Sequence, residues 1–388
     1  VTPGGALFPN PSAGPLEDEP QSEARALDVH RRLPGYAPTP LTECAAVADA
    51  LGLGTVWVKD ESSRLGLPSF KILGASYATY RALAERLGGT DRIGGWSGIE
   101  DLRARVAPLL PLTLVAATDG NHGRAVARMA HLLGFEARIY VPAGTARARI
   151  VAIEGEGAAV TVVDGDYDAA IRRSAADAGP HHMVISDTSW EGYERVPAWV
   201  IDGYTTIFDE VAETLGELEP TLVVIPVGVG ALAAATIHHY RRVQATAPRI
   251  LGVEPASAAC VQASLRAGEP TTVPGPHPSI MAGLNCGTPS LIAWPRLRRG
   301  LDAVVAISDD RARDAMRVLA AEGIVSGETG AAALGGLYEV LTGPEGPRLR
   351  ERWELGTRSR VLVLSTEGAT DPDAYDEIVG VTTPLRRS

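Results

Sequence analysis

Residues 113–142 read TLVAATDGNHGRAVARMAHLLGFEARIYVP, and this stretch decides the fold class. Thr113–Ala117 is a short apolar run of strand character, residues 118–123 form a turn, and His122–Leu133 has the amphipathic spacing of a helix. Ala137–Val141 is a second strand. A strand, a helix and a strand within about 30 residues make a parallel crossover unit. Strands in such units are apolar along their length because helices cover both faces of the sheet.

The same alternation continues in both directions. Further strands are expected at Val56–Lys59, Ala159–Val163, Met183–Ser186, Leu222–Pro226, Ile250–Glu254, Ala303–Ile307 and Arg360–Ser365. Helices are expected at Ile72–Arg86, Ala146–Ile153, Tyr167–Ala178, Tyr204–Leu215, Ala231–Thr246, Asp309–Glu322 and Gly330–Leu341. Thr90–Pro111, with clustered Gly and Pro, reads as a long excursion or mobile loop. The class is α/β, and 388 residues are enough for two domains.

Composition narrows the function. A formal net charge of −11 argues against a nucleic-acid partner, which would need clustered Lys and Arg. No apolar run approaches the roughly 20 residues of a membrane span. Val1–Arg32 is rich in Pro, Gly and acidic residues and lacks the order of a signal peptide, so a cytoplasmic location is expected. Cys44, Cys260 and Cys286 are too few for a disulfide scaffold, and no metal is expected. Cys260 and Cys286 fall on segments flanking the expected site, and the question of their pairing stays open.

The basic residues are more telling. Of 36, only Lys59 and Lys71 are lysines. A chain that writes its ordinary cations as Arg retains Lys where guanidinium cannot serve, and an ε-amine can form a Schiff base. The competing reading is a leftover surface cation. Lys71 sits in SFKILG (69–74), behind Pro68 and Ser69, which are helix-starting residues. An amine in the first turn of a helix is disfavoured as ammonium, which helps it act as a nucleophile.

Two strand-to-helix turns could hold anions. In the turn Thr118–Gly123, backbone N–H groups suit a substrate carboxylate, and the Asn121 amide suits a hydroxyl or phenolate oxygen. Asp119 is out of character there: either it caps the helix, or it faces a cationic part of the substrate. Gly228-Val229-Gly230-Ala231-Leu232, after the strand ending at Pro226, is a phosphate-cradle candidate. With Glu254 at the end of the next strand, the same loop also imitates a dinucleotide fingerprint, so a nicotinamide-dependent dehydrogenase is a rival. That rival leaves Lys71 without a task. Ser365 ends an apolar strand, where its hydroxyl could bond a cofactor ring nitrogen.

Together SFKILG, TDGNHG (118–123), the glycine loop and STEG (365–368) resemble the tryptophan-synthase-like family, fold type II among pyridoxal phosphate enzymes. PLTEC (40–44), VKDESSR (58–64), ATDGNHGR (117–124), DTSWEGY (187–193), MAGLNCG (281–287) and SGETG (326–330) are similar to blocks of the diaminopropionate ammonia-lyases, in the same order, from about residue 38 to residue 376. The resemblance implies two domains, each a mostly parallel twisted sheet flanked by helices. The large cofactor-binding domain would comprise residues 1–80 and 190–388, and the smaller, mobile one residues 81–189. It implies that Lys71 forms a Schiff base with pyridoxal 5'-phosphate, that Phe70 lies beside the cofactor, and that Gly228, Val229, Gly230, Ala231 and Leu232 cradle its phosphate. Asn121 would contact the 3'-oxygen and Ser365, with Thr366 second, the ring nitrogen. Thr118, Gly120 and Asn121 would bound the substrate carboxylate pocket. Asp119 and Asp187 would be the catalytic carboxylates and would face the substrate. The implied reaction is α,β-elimination of D- or L-2,3-diaminopropionate to pyruvate and two ammonia, in a homodimer. Within the fold, the rival is a serine or threonine dehydratase, or another β-elimination or β-replacement on a small amino acid. A neutral hydroxyl leaving group would leave the Asp119 charge unpaired, which disfavours that rival.

Overall fold

The computed structural model describes residues 7–14, 16, 25–118, 120–241 and 247–380. Its eleven strands among these residues are β1 (Leu7–Pro9), β2 (Leu41–Glu43), β3 (Thr55–Asp60), β4 (Thr113–Ala117), β5 (Glu136–Pro142), β6 (Ala159–Val163), β7 (His182–Val184), β8 (Leu222–Pro226), β9 (Arg249–Pro255), β10 (Ala303–Ile307) and β11 (Arg360–Ser365). They form two sheets. The larger has the order β1-β10-β9-β8-β11-β3-β2, parallel inside with an antiparallel strand at each edge. The smaller has the order β6-β5-β4-β7 and is wholly parallel. β4 and β8 are buried along their whole length, as strands covered on both faces must be.

Both sheets reverse direction part-way. Chain order runs outward from β8 through β9 to β10, whereas β11 lies on the other side of β8. Likewise β4, β5 and β6 run one way, and β7 lies across β4. In open parallel sheets, ligands bind at the carboxyl ends of the strands beside such a reversal. The segments just after β8, β11, β4 and β7 hold Gly228, Thr366, Asn121 (first residue of the helix Asn121–Leu133) and Asp187 respectively.

The helix Lys71–Arg86 packs on the helix Arg195–Leu215. Two glycines permit the close approach. A Cβ on Gly203 would lie 2.5 Å from the Leu73 carbonyl oxygen, and one on Gly74 would lie 2.6 Å from the Tyr204 ring. Behind this pair is a buried ion network. Lys59 Nζ bonds Glu210 Oε2 at 2.7 Å and donates to the Thr39 carbonyl at 2.8 Å. Arg64 bridges Glu210 and Glu61, each at 2.6 Å. Lys59 thus has a structural task, and of the two lysines only Lys71 reaches the cavity described below.

The expectation for Thr90–Pro111 is corrected. The segment contains helices Thr90–Ile93 and Ile99–Val106, followed by a short 3-10 turn. Ile93, Trp96, Leu102 and Val106 are buried and anchor it to the core. The helix expected at Tyr204–Leu215 begins nine residues earlier, at Arg195, and the end of the expected Ala231–Thr246 helix lies outside the described residues.

Candidate active site

A cavity of about 790 Å³ opens between the two sheets. Phe70, Lys71, Asn121, Asp187, Gly228–Leu232 and Thr366 line it, so most of the site residues expected from sequence meet there. Thr118, Gly120 and Ser365 are not on its wall. Thr118 Oγ1 accepts the Gly120 N–H at 2.9 Å and so shapes the turn from inside. Ser365 is buried and donates to Ser326 Oγ at 2.8 Å. Asp119 lies outside the described residues.

Phe70 caps the Lys71 helix without a side-chain bond, and Ser69 Oγ accepts the Lys71 N–H at 3.4 Å. Lys71 Nζ donates to Asp187 Oδ2 at 2.7 Å, in a pair that is only partly open to solvent. Tyr167 donates to the other Asp187 oxygen at 3.3 Å. Burial alone would push the Asp187 carboxyl up, but the Lys71 charge and the hydrogen bonds from Lys71 and Tyr167 together outweigh it and hold the group well below the usual carboxylate range. The imidazole of His122 lies 3.9 Å from Asp187. Its Nε2 donates to the Ile185 carbonyl at 2.8 Å, and burial lowers its pKa, so the ring is neutral; it lies behind Asp187 and off the cavity wall.

The glycine loop is built for an anion. Ala234 N–H donates to the Gly230 carbonyl, so the helix Ala231–Arg241 begins there and its first N–H groups have no helical partner. Gly230 has φ +97, a conformation that L side chains rarely adopt. Thr366 Oγ1 is buried without a hydrogen-bond partner, at the end of β11 and on the cavity wall. An amine, a helix start with open N–H groups and an orphan hydroxyl are the donor set that a pyridine aldehyde phosphate requires.

The dinucleotide reading fails on Glu254. Its carboxylate is fully buried and accepts the N–H groups of Val261 and Gln262, both at 2.8 Å, at the start of the helix Cys260–Ala267. It cannot face a ribose. Burial pushes its pKa up to about 8, so it is protonated at neutral pH. Cys260 and Cys286 are buried and form no disulfide; Cys286 lies on the cavity wall, its Sγ 3.2 Å from where a Gly228 Cβ would be.

Residues 32–367 match the family model described as pyridoxal-phosphate dependent enzyme. The chain belongs to that family. Its cofactor is pyridoxal phosphate, and its architecture is fold type II. It is 37% identical over 370 residues to a diaminopropionate ammonia-lyase of Salmonella typhimurium, covering 91% of this chain and 90% of the relative. The structure of the Escherichia coli diaminopropionate ammonia lyase in complex with D-serine superposes with a TM-score of 0.89, at 37% identity over 97% of this chain and 96% of the other. The same Escherichia coli enzyme in complex with an aminoacrylate-PLP azomethine reaction intermediate gives a TM-score of 0.86 at 35% identity, with the same coverage.

Several wall residues escaped the sequence reading. Tyr167, Arg149, Glu328, Glu367 and the 272–287 segment line the cavity. Glu328 and Glu367 lie in the SGETG and STEG runs, whose resemblance implies no role for either. Nothing local marked Tyr167 or Arg149. Among the described residues, no group of three or more His, Cys, Asp or Glu is placed to hold a metal ion.

Proposed function

We propose that this chain is an ammonia-lyase that acts on 2,3-diaminopropionate, in the D form, the L form or both, eliminating one ammonia and, with hydrolysis by one water, releasing a second to give pyruvate. The observation that carries this reading is the Lys71–Asp187 pair at 2.7 Å in a cavity that also presents the Gly228–Leu232 helix start. The relatives named above act on this diamine.

Bound in this cavity, the cofactor supplies an electron sink that makes removal of a substrate α-proton feasible. Lys71 Nζ would hold the cofactor, and the amine, once released, would take the α-proton. The N–H groups of Gly228–Leu232 would hold the phosphate, the Asn121 amide the 3'-oxygen, and the hydroxyl of Thr366, or of Ser365 behind it, the ring nitrogen. Phe70 would flank the cofactor. Facing a β-ammonium group as it faces Lys71 here, Asp187 would stay ionised and hold that group in the leaving form. A carboxylate raises the pKa of the bound ammonium, and departure as neutral ammonia needs that proton in place. Asp119, beside the Thr118 and Gly120 turn, would serve the opposite face, with that turn bounding the carboxylate pocket. A diamine keeps these carboxylates paired, whereas serine or threonine would leave one charge facing a neutral hydroxyl. We further propose a homodimer located in the cytoplasm, with a small amino acid rather than a nucleic acid or membrane as its partner. No helix among the described residues is long and apolar enough to cross a membrane.

The test is a panel of D- and L-diaminopropionate, serine and threonine, read as pyruvate, ketobutyrate and ammonia. Release of two ammonia per pyruvate from diaminopropionate, well above any serine rate, is expected. Faster release from serine or threonine would assign the chain to the dehydratases.

A further inference from the structure

Glu367 is buried, yet no task was assigned to it from sequence. Its Oε2 accepts the Asn121 Nδ2–H, and its Oε1 accepts the Thr329 backbone N–H at 3.3 Å. Its own backbone ties the neighbouring segments together. Gly327 N–H donates to the Glu367 carbonyl at 3.0 Å, and Glu367 forms an antiparallel bridge with Ser69. On either side, Phe70 N–H donates to Thr366 and Gly368 N–H to Pro68. One residue therefore meets the start of the Lys71 helix, the 326–330 loop, and an amide carried by the smaller sheet's first helix.

The chemistry of the contact is directional. An Asn side chain is nearly symmetric in shape and can turn over to present either its oxygen or its NH₂. A carboxylate only accepts. Glu367 therefore draws the Asn121 NH₂ to its own side, and the second N–H is left for the cavity that Asn121 lines. We propose that Glu367 is a positioning residue, which fixes the Asn121 amide so that a donor, not an acceptor, meets the cofactor's 3'-oxygen. The inference rests on the assignment of Asn121 to that oxygen.

A double-mutant cycle tests it, with Glu367→Ala, Asn121→Ala and the double variant prepared as apo-proteins and titrated with pyridoxal phosphate. The readouts are the dissociation constant and the position and pH midpoint of the visible band, so no turnover is needed. Each single change should weaken cofactor binding about tenfold, as loss of one hydrogen bond to a charged group does, and the double should be no worse than either single. Glu367→Gln keeps one acceptor oxygen for two donors and should fall between, with an unchanged circular dichroism spectrum, so it carries the test if Glu367→Ala fails to fold. Losses that multiply in the double variant would overturn the proposal and leave the Asn121 assignment standing. Wild-type affinity and band position in Asn121→Ala would remove that assignment, and the proposal with it.

Discussion

Asp187 stands in the same relation to Lys71 as it would to a substrate ammonium: one carboxylate, a cation at hydrogen-bond distance, little water. With Lys71 holding the cofactor, its amine would no longer occupy Asp187, which would be open to that second partner. Asp187→Asn should therefore keep the bound cofactor and its colour while lowering kcat on diaminopropionate by about 10²–10⁴, the usual worth of a positioned acid–base group; stopped-flow and steady-state rates check it. Asp119→Asn should impair at least one enantiomer, and unchanged turnover of both would remove Asp119 from the mechanism. Glu254 offers a pH test. Its pKa, pushed up to about 8 by burial, lies above that of an unfolded Glu, so its contribution to stability is complete at pH 4 and fades as pH rises toward 8. Stability of the apo-protein to thermal unfolding should fall over that window by up to about 1.4 kcal/mol per pH unit, and Glu254→Gln should flatten the slope. Lys71 could be read as a candidate from sequence because lysine is so scarce, and the Gly228–Leu232 loop because its glycines follow an apolar strand. The roles of Glu254 and Glu367 could not, since each depends on partners that only the folded chain supplies.

Helices and strands carry the site through close backbone contact. Gly203→Ala would drive a methyl into the Leu73 carbonyl, two residues from Lys71, and overpacking of this kind costs about 1–3 kcal/mol. A lower melting temperature together with weaker cofactor binding is expected, because the helix that presents Lys71 must shift. The buried pairs Lys59–Glu210 and Arg64–Glu210 act on the same helix pair from behind. Glu210→Gln should cost about 3–5 kcal/mol, the usual penalty for stranding buried charge, measured by denaturant unfolding. Long apolar strands such as β4, β8 and β10 were legible at their observed limits, since burial on both faces leaves an unbroken apolar run. The edge strands β1 and β2 are three residues each, too short to show a period, and their pairing is set by the neighbouring strand. Thr90–Pro111 misled because its glycines and prolines outweighed four well-spaced apolar residues that the core selects.

In the molecule as a whole each sheet has a reversal, and segments that follow parallel strands of both sheets converge on one cavity. We propose that residues 81–189 are the smaller, mobile unit and move toward the rest when ligand binds. Hydrogen exchange of the loops after β4, β5 and β7 should slow on addition of cofactor and substrate analogue, with little change in the interior of β9 and β10. Lys71 is the only lysine of the sequence besides the buried Lys59. Borohydride reduction of the holoenzyme, followed by peptide mapping, therefore gives a direct answer. The label should sit on Lys71 alone, and Lys71→Ala should carry none; label on Lys59, or a holoenzyme that takes no label, would contradict the account.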